Sequence, residues 1–210
     1  VRQPREHVLD LGCGVGRMAL PLTRYLADDG IYDGLDIDAR EIAWCSEHIT
    51  ARYPNFRFKA ANIYSKRYNP KGACTDAEFR FPYADGSFDF LFMTSVFTHI
   101  LQPGMENYLS EVSRVLRGRG RCLITYFLLN DESMRLMQAG RSSLDFKHGR
   151  GTYRLVDENV PEEAVAYDEG FVGSAYRANG LTILEPVRYG NWCERTETFD
   201  HQDIVVAQKQ

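Results

Sequence analysis

Val8-Leu9-Asp10-Leu11-Gly12-Cys13-Gly14-Val15-Gly16-Arg17 decides how this sequence folds. Its first residues continue a short aliphatic run from His7, of the length and composition that suit a buried strand. Three glycines at alternate positions follow, and then a helix-period segment over residues 17–26. A glycine has no Cβ, so a ligand can lie directly against the backbone of such a turn. The helix N-terminus beyond it offers unpaired N–H groups and a partial positive charge, where a carboxylate can sit. Pro21 is expected to bend this helix or limit its first turn.

Outward from the turn, short β-rich runs alternate with helix-period segments to about residue 130, the signature of βαβ units and a parallel sheet. The spacing predicts strands over residues 31–37, 56–60, 88–94 and 121–128, with helices from 39 to about 52 and over 106–116. Asp38 stands where its carboxylate can cap the first free amides of the second helix. Residues 62–86 carry Pro70, Gly72, Pro82 and Gly86 and read as loop-rich. After Asn130 the rhythm stops: residues 131–160 are polar and irregular, as expected of a functional cover or a mobile segment. A helix over 168–178 ends at Asn179-Gly180, a left-handed stop, and two strands follow over 181–188 and 201–207. With no repeat or linker, residues 1–210 read as a single domain in which 130–160 form a substrate-side cover.

Composition narrows the function. The 210 residues carry 25 basic and 29 acidic side chains, a formal charge of −4, which gives no general attraction for a phosphate backbone and makes nucleic acid an unexpected partner. No apolar run reaches the roughly 18 residues that span a bilayer, so the expectation is a soluble, cytoplasmic protein with no membrane partner, monomeric or homodimeric. Five cysteines without a CxxC pair suggest reduced, mostly buried thiols, and no ligand cluster suggests a metal. The chain opens at Val1 with its first strand almost at once, so some N-terminal sequence is expected to be missing.

Dinucleotide-binding enzymes use GxGxxG, with a phosphate on the helix end. Here the pattern is GxGxG. It resembles motif I of the class I S-adenosylmethionine-dependent methyltransferases, whose cofactor presents a methionine carboxylate instead. Further segments strengthen the resemblance. Asp36 in Gly34-Leu35-Asp36-Ile37-Asp38 lies 20 residues past Gly16 and matches the family's ribose-binding acid. Ala60-Ala61-Asn62-Ile63 is similar to the adenine-binding segment, with Asn62 where the family often has Asp. The stretch from Phe81 to Phe90 resembles the approach to the fourth strand, commonly LPFxDxSFDxV.

The resemblance implies a doubly wound α/β fold with a seven-stranded sheet, six strands parallel and one strand of the final hairpin antiparallel. It also implies S-adenosylmethionine as cofactor, with S-adenosylhomocysteine as product, and a cofactor set of Asp10, Gly12, Cys13, Gly14, Gly16, Arg17, Asp36, Ile37, Asn62, Ile63, Thr94 and Ser95.

Transfer of a sulfonium methyl is an in-line displacement, so the protein must align an acceptor and keep water away. His99, just past the fourth strand, is the candidate catalytic base for a small-molecule hydroxyl acceptor, or else a residue that orders the loop or touches the cofactor. Tyr126, His148, Tyr189 and Trp192 are candidate substrate-binding residues. Arg141, Lys147, His148, Arg150 and Arg154 form a basic cluster able to attract a carboxylated or phosphorylated acceptor, or simply a solvated loop. A nicotinamide-dependent oxidoreductase and a non-catalytic cofactor-binding module are the alternatives.

Overall fold

A computed structural model describes residues 4–66, 68–196 and 198–210. In chain order the first elements are β1 (His7–Leu11), α1 (Ala19–Leu22), β2 (Ile31–Asp36), α2 (Ala39–Cys45) continuing as one π-helical segment (Ser46–Thr50), β3 (Phe56–Ala60), β4 (Phe88–Met93), α3 (Gln102–Val115) and β5 (Leu116–Tyr126). They are followed by β6 (Leu128–Leu129), α4 (Asp131–Gln138), β7 (His148–Gly149), β8 (Tyr153–Leu155), β9 (Val165–Asp168), α5 (Glu169–Ala178), β10 (Leu181–Ile183) and β11 (Asp203–Lys209).

The main sheet has seven strands in the order β10-β11-β5-β4-β1-β2-β3. β1 pairs in parallel with both β2 and β4, and β11 runs antiparallel between β5 and β10. This is the expected doubly wound sheet with one reversed strand.

Alternation along the strands divides the core between the two faces. Val8, Tyr32 and Phe92 pack with Ala19, Cys45 and Ile49 on one side. Leu9, Leu35, Leu91 and Ile124 pack with Leu109 and Val112 of α3 and with Val172 and Tyr176 of α5 on the other. The strand edges that leave the core at the carboxyl ends of β1, β2 and β4 therefore converge on one side of the sheet, where open α/β sheets take ligands.

Three expectations are corrected. The first helix shrinks to the single α-turn Ala19–Leu22; Gly16 holds a φ of +75° just before it, and Pro21 inside it has no N–H to donate. The segment 131–160 is not irregular throughout: α4 is closed by a reciprocal cap between Asn130 and Ser133, and β7 and β8 join β6 and β9 in a second sheet of order β6-β9-β8-β7. Strands of two and three residues are too short to show a period of two in sequence. The strand expected over 181–188 ends at Ile183, beyond which Arg188 makes a lone bridge to Ile204.

Among the described residues, no helix is long and apolar enough to cross a membrane, and no group of His, Cys, Asp or Glu is placed to hold a metal ion.

Candidate functional site

The three glycines of the opening turn all have positive φ, but they face different things. A Cβ on Gly12 would lie 2.5 Å from Val96 Cγ2, and one on Gly16 2.6 Å from Ile49 Cδ1. Gly14 meets nothing nearer than Glu41 Oε2 at 3.3 Å. Gly16 is thus small so that the turn can pack on the second helix. Gly12 and Gly14 instead border a cavity of about 410 Å³, together with Arg17, Asp36, Ile37, Ile63, Thr94, Ser95 and His99. Asn62 opens on a neighbouring recess with Ile37, Arg40 and Tyr68.

Asp36 sits at the end of β2, beside the turn. Gly14 N donates to its Oδ2 at 2.8 Å and Asp38 N to its Oδ1 at 2.9 Å. Each oxygen keeps a lone pair, so the fixed carboxylate can accept two further hydroxyl protons from a diol in the cavity. Asp38 caps α2 as expected, accepting from Arg40 N and Glu41 N, and its bonds with Arg40 lower its pKa to about 2.

Asp10 and Cys13, like Gly16, lie under the turn rather than in the cavity. Cys13 is buried and its thiol pKa is pushed up by desolvation. Asp10 is 1% exposed. Its Oδ2 accepts from the Tyr32 hydroxyl at 2.5 Å, while Oδ1 has no partner among the described residues. Burial pushes the Asp10 pKa up to about 7, opposed by the Tyr32 bond and aided by Asp36. The glycine cradle and the fixed diol acceptor together fit a nucleoside bearing an amino-acid tail.

On the other side of the cavity, His99 Nδ1 lies 2.9 Å from the Glu162 carbonyl oxygen. A carbonyl only accepts, so Nδ1 carries the proton and the neutral ring keeps its lone pair on Nε2. Glu162 belongs to the turn before β9. Its carboxylate accepts from Ser65 Oγ at 2.7 Å and from Lys66 N at 3.4 Å, so the second sheet latches onto the long β3–β4 connection across the cavity. Tyr64, Tyr68, Asp76, Tyr108 and Glu162 complete this wall. Sequence reasoning missed all five: Tyr64, Tyr68, Asp76 and Glu162 come from loop and cover segments without a recognisable pattern, and Tyr108 is a position of α3 that helical spacing alone assigns to the core.

The four expected substrate residues are not in the cavity. Tyr126 is wholly buried, its hydroxyl 2.9 Å from that of Tyr176. Trp192 is wholly buried and donates from Nε1 to Asp203. Tyr189 donates to Glu169, and His148 faces Glu158 at 3.7 Å. Aromatic residues near the carboxyl edge serve here to join β5, α5 and the final hairpin, because their large apolar areas are better used in packing. The basic cluster is likewise partly neutralised, by Arg150–Glu158 and Arg141–Glu194 pairs.

A glycine cradle at the end of β1, an acid at the end of β2 and a sheet with one reversed strand define the Rossmann-like fold of class I S-adenosylmethionine-dependent methyltransferases. The methyltransferase domain family matches residues 9–124, more than half of the sequence, and the chain belongs to that family. This removes the nicotinamide-dependent alternative.

The chain is 29% identical over 208 residues to an arsenite methyltransferase of Aquipseudomonas alcaligenes, covering 85% of this chain and 56% of that protein. It is 25% identical over 130 residues to a sterol 24-C-methyltransferase of Schizosaccharomyces pombe, covering 62% and 30%. The chain therefore spans less than two thirds of the length of these curated relatives. Among solved structures it is similar to a SAM-dependent methyltransferase from Aquifex aeolicus, with a TM-score of 0.60 and 18% identity over 99% of this chain and 84% of that one. A Burkholderia thailandensis 1,6-didemethyltoxoflavin-N1-methyltransferase, solved with its substrate and S-adenosylhomocysteine, gives 0.60 and 19% over 99% and 72%. These likenesses carry the fold.

Proposed function

We propose that the protein transfers a methyl group from S-adenosylmethionine to a hydroxyl of a small, uncharged molecule, with His99 as general base. When bound, the cofactor supplies an electrophilic methyl on a sulfonium whose departure leaves a neutral thioether. The rest falls to the chain. Gly12, Gly14 and Arg17 would receive the amino-acid tail, Asp36 the ribose diol, and Ile37 and Ile63 the base, with Asn62 at its edge. Thr94 and Ser95 would border the sulfonium side, while Asp10, Cys13 and Gly16 support the turn from below.

The observation that carries this reading is that His99 borders the same cavity as the glycine turn and Asp36, with its Nδ1 proton committed to Glu162. Nε2 is then free to take the acceptor's proton as the oxygen attacks. The same lining carries Asp36, Asp38, Glu41, Asp76 and Glu162 against Arg17, so an anionic acceptor would be repelled. That charge balance replaces the expectation of a carboxylated or phosphorylated acceptor. It also favours, as a second reading, an amine acceptor. A thiophilic acceptor such as the arsenite of the named relative has less support, since no cysteine is among the residues bordering the cavity.

The test is a panel of neutral phenols, alcohols and amines assayed with S-adenosylmethionine. For a hydroxyl acceptor, His99→Ala should lower turnover by roughly two orders of magnitude with S-adenosylhomocysteine affinity little changed. Equal losses in turnover and affinity would make His99 a binding residue, and methylation confined to amines would select the second reading.

A further inference from the structure

Ser95 is the non-glycine residue that adopts a left-handed backbone within the cavity wall, with φ of +58°. A serine pays for that conformation through its Cβ and holds it only where its surroundings insist. The other described non-glycine residues with positive φ, Arg119 and Glu194, do not border the cavity.

What insists at Ser95 is a closed set of bonds to two side chains, one on β5 and one just before β11. Ser95 N donates to Thr125 Oγ1 at 2.8 Å, at the end of β5. Thr125 in turn donates its only hydroxyl proton to Gln202 Oε1 at 2.6 Å, and Ser95 Oγ donates to the same oxygen at 3.1 Å. Gln202 directly precedes β11, so the last hairpin reaches over β5 to grip the loop after β4. Thr125 is 4% exposed, which makes its partners costly to remove.

The loop so gripped places two groups. Val96 rests against Gly12 closely enough to forbid a side chain there, and His99, tied back to Val96 by an N–H to carbonyl bond of 2.9 Å, borders the cavity.

We propose that Gln202 is a positioning residue of the methyl-transfer site: its side-chain oxygen, through Thr125 and Ser95, holds the loop from Thr94 to His99 in the shape that closes the cavity over the glycine turn. This rests on the cofactor reading above. Nothing about Gln202 in sequence marks it, since it lies 107 residues from Ser95.

The probe is S-adenosylhomocysteine, titrated calorimetrically into the folded chain and its variants, with unfolding midpoints measured beside each. Gln202→Leu keeps bulk but removes the acceptor, and should weaken binding about tenfold, as expected for hydrogen bonds lost at a site that must be preorganised. Thr125→Val should do the same. Gln202→Glu retains an acceptor for both hydroxyls and should bind within about threefold of wild type. Ser95→Gly makes the left-handed backbone free of cost, so in that background Gln202→Leu should have little further effect.

Binding by Gln202→Leu equal to wild type overturns the proposal, as does a loss undiminished in the Ser95→Gly background or not rescued by Gln202→Glu. So does a fall in unfolding midpoint that parallels the loss of binding, which would make the residue structural only. A wild-type chain that does not bind overturns the cofactor site itself, and the proposal with it.

Discussion

The two sides of the cavity are built by different means. The β1–β2 side is a matter of backbone: glycines with positive φ, a carboxylate fixed by two N–H groups, and a helix capped by Asp38. The opposite side is a matter of side chains arriving from distant segments, with Glu162 reaching Ser65 across 97 residues and Gln202 reaching Ser95 across 107. Backbone requirements restrict residue type at fixed spacing. Long-range side-chain contacts can be met by many residues at many positions. The first side should therefore tolerate almost no substitution, and the second should respond in smaller, graded steps.

The largest effect should come from Gly12→Ala. A left-handed alanine is strained by about 1–2 kcal/mol, and its Cβ would overlap Val96. Calorimetry should show S-adenosylhomocysteine affinity falling by more than about a hundredfold. The contrast is Gly140→Ala, also at positive φ but with no neighbour among the described residues in reach of a Cβ; it should cost roughly 1 kcal/mol of stability and leave that affinity alone. Equal binding losses in the two variants would erase the distinction between the regions.

Next in size is a pH effect under the turn. The Asp10 pKa is raised by burial to about 7, against roughly 3.9 in an unfolded chain. The folded protein holds this proton more tightly, so the contribution to stability is complete below about pH 4 and is lost as pH rises toward 7. Between pH 4 and pH 8 the wild type should lose on the order of 3 kcal/mol from this group, whereas Asp10→Asn should lose none of that. Denaturant unfolding at both pH values checks it; parallel losses in the two proteins would assign the orphaned oxygen a hidden partner.

Asp36→Ala follows, with cofactor affinity weakened by at least about 1.5 kcal/mol for the loss of two accepted hydroxyl bonds. The smallest effect is expected in the aromatic core behind the cavity. Tyr126→Phe removes a buried hydroxyl pair with Tyr176 and should cost about 1 kcal/mol of stability, read from the unfolding midpoint, without altering cofactor affinity. A clear affinity change there would return Tyr126 to the site.

The same division explains what was legible in the sequence. β1, β2, β3 and β4 fall within a residue or two of where alternation and glycine placed them, and Gly12, Gly14, Arg17, Asp36 and His99 share one cavity. Asp10 and Cys13 belong to the motif but face inward, Asp10 from the face of β1 that meets Tyr32 and Cys13 from the turn, with its sulfur against Gly34 of β2. Tyr126 and Trp192 were misread since an aromatic residue at a ligand edge and one in a core look alike in composition. The second sheet escaped notice because its strands hold two to four residues, and Glu162 and Gln202 carry no local sign of the contacts they make.

The most direct measurement is calorimetric titration of the wild-type chain and Asp36→Ala with S-adenosylhomocysteine. The account predicts saturable binding at one site by the wild type and a marked loss in the variant. Absence of binding to the folded wild type, or equal affinity in the two proteins, would contradict it.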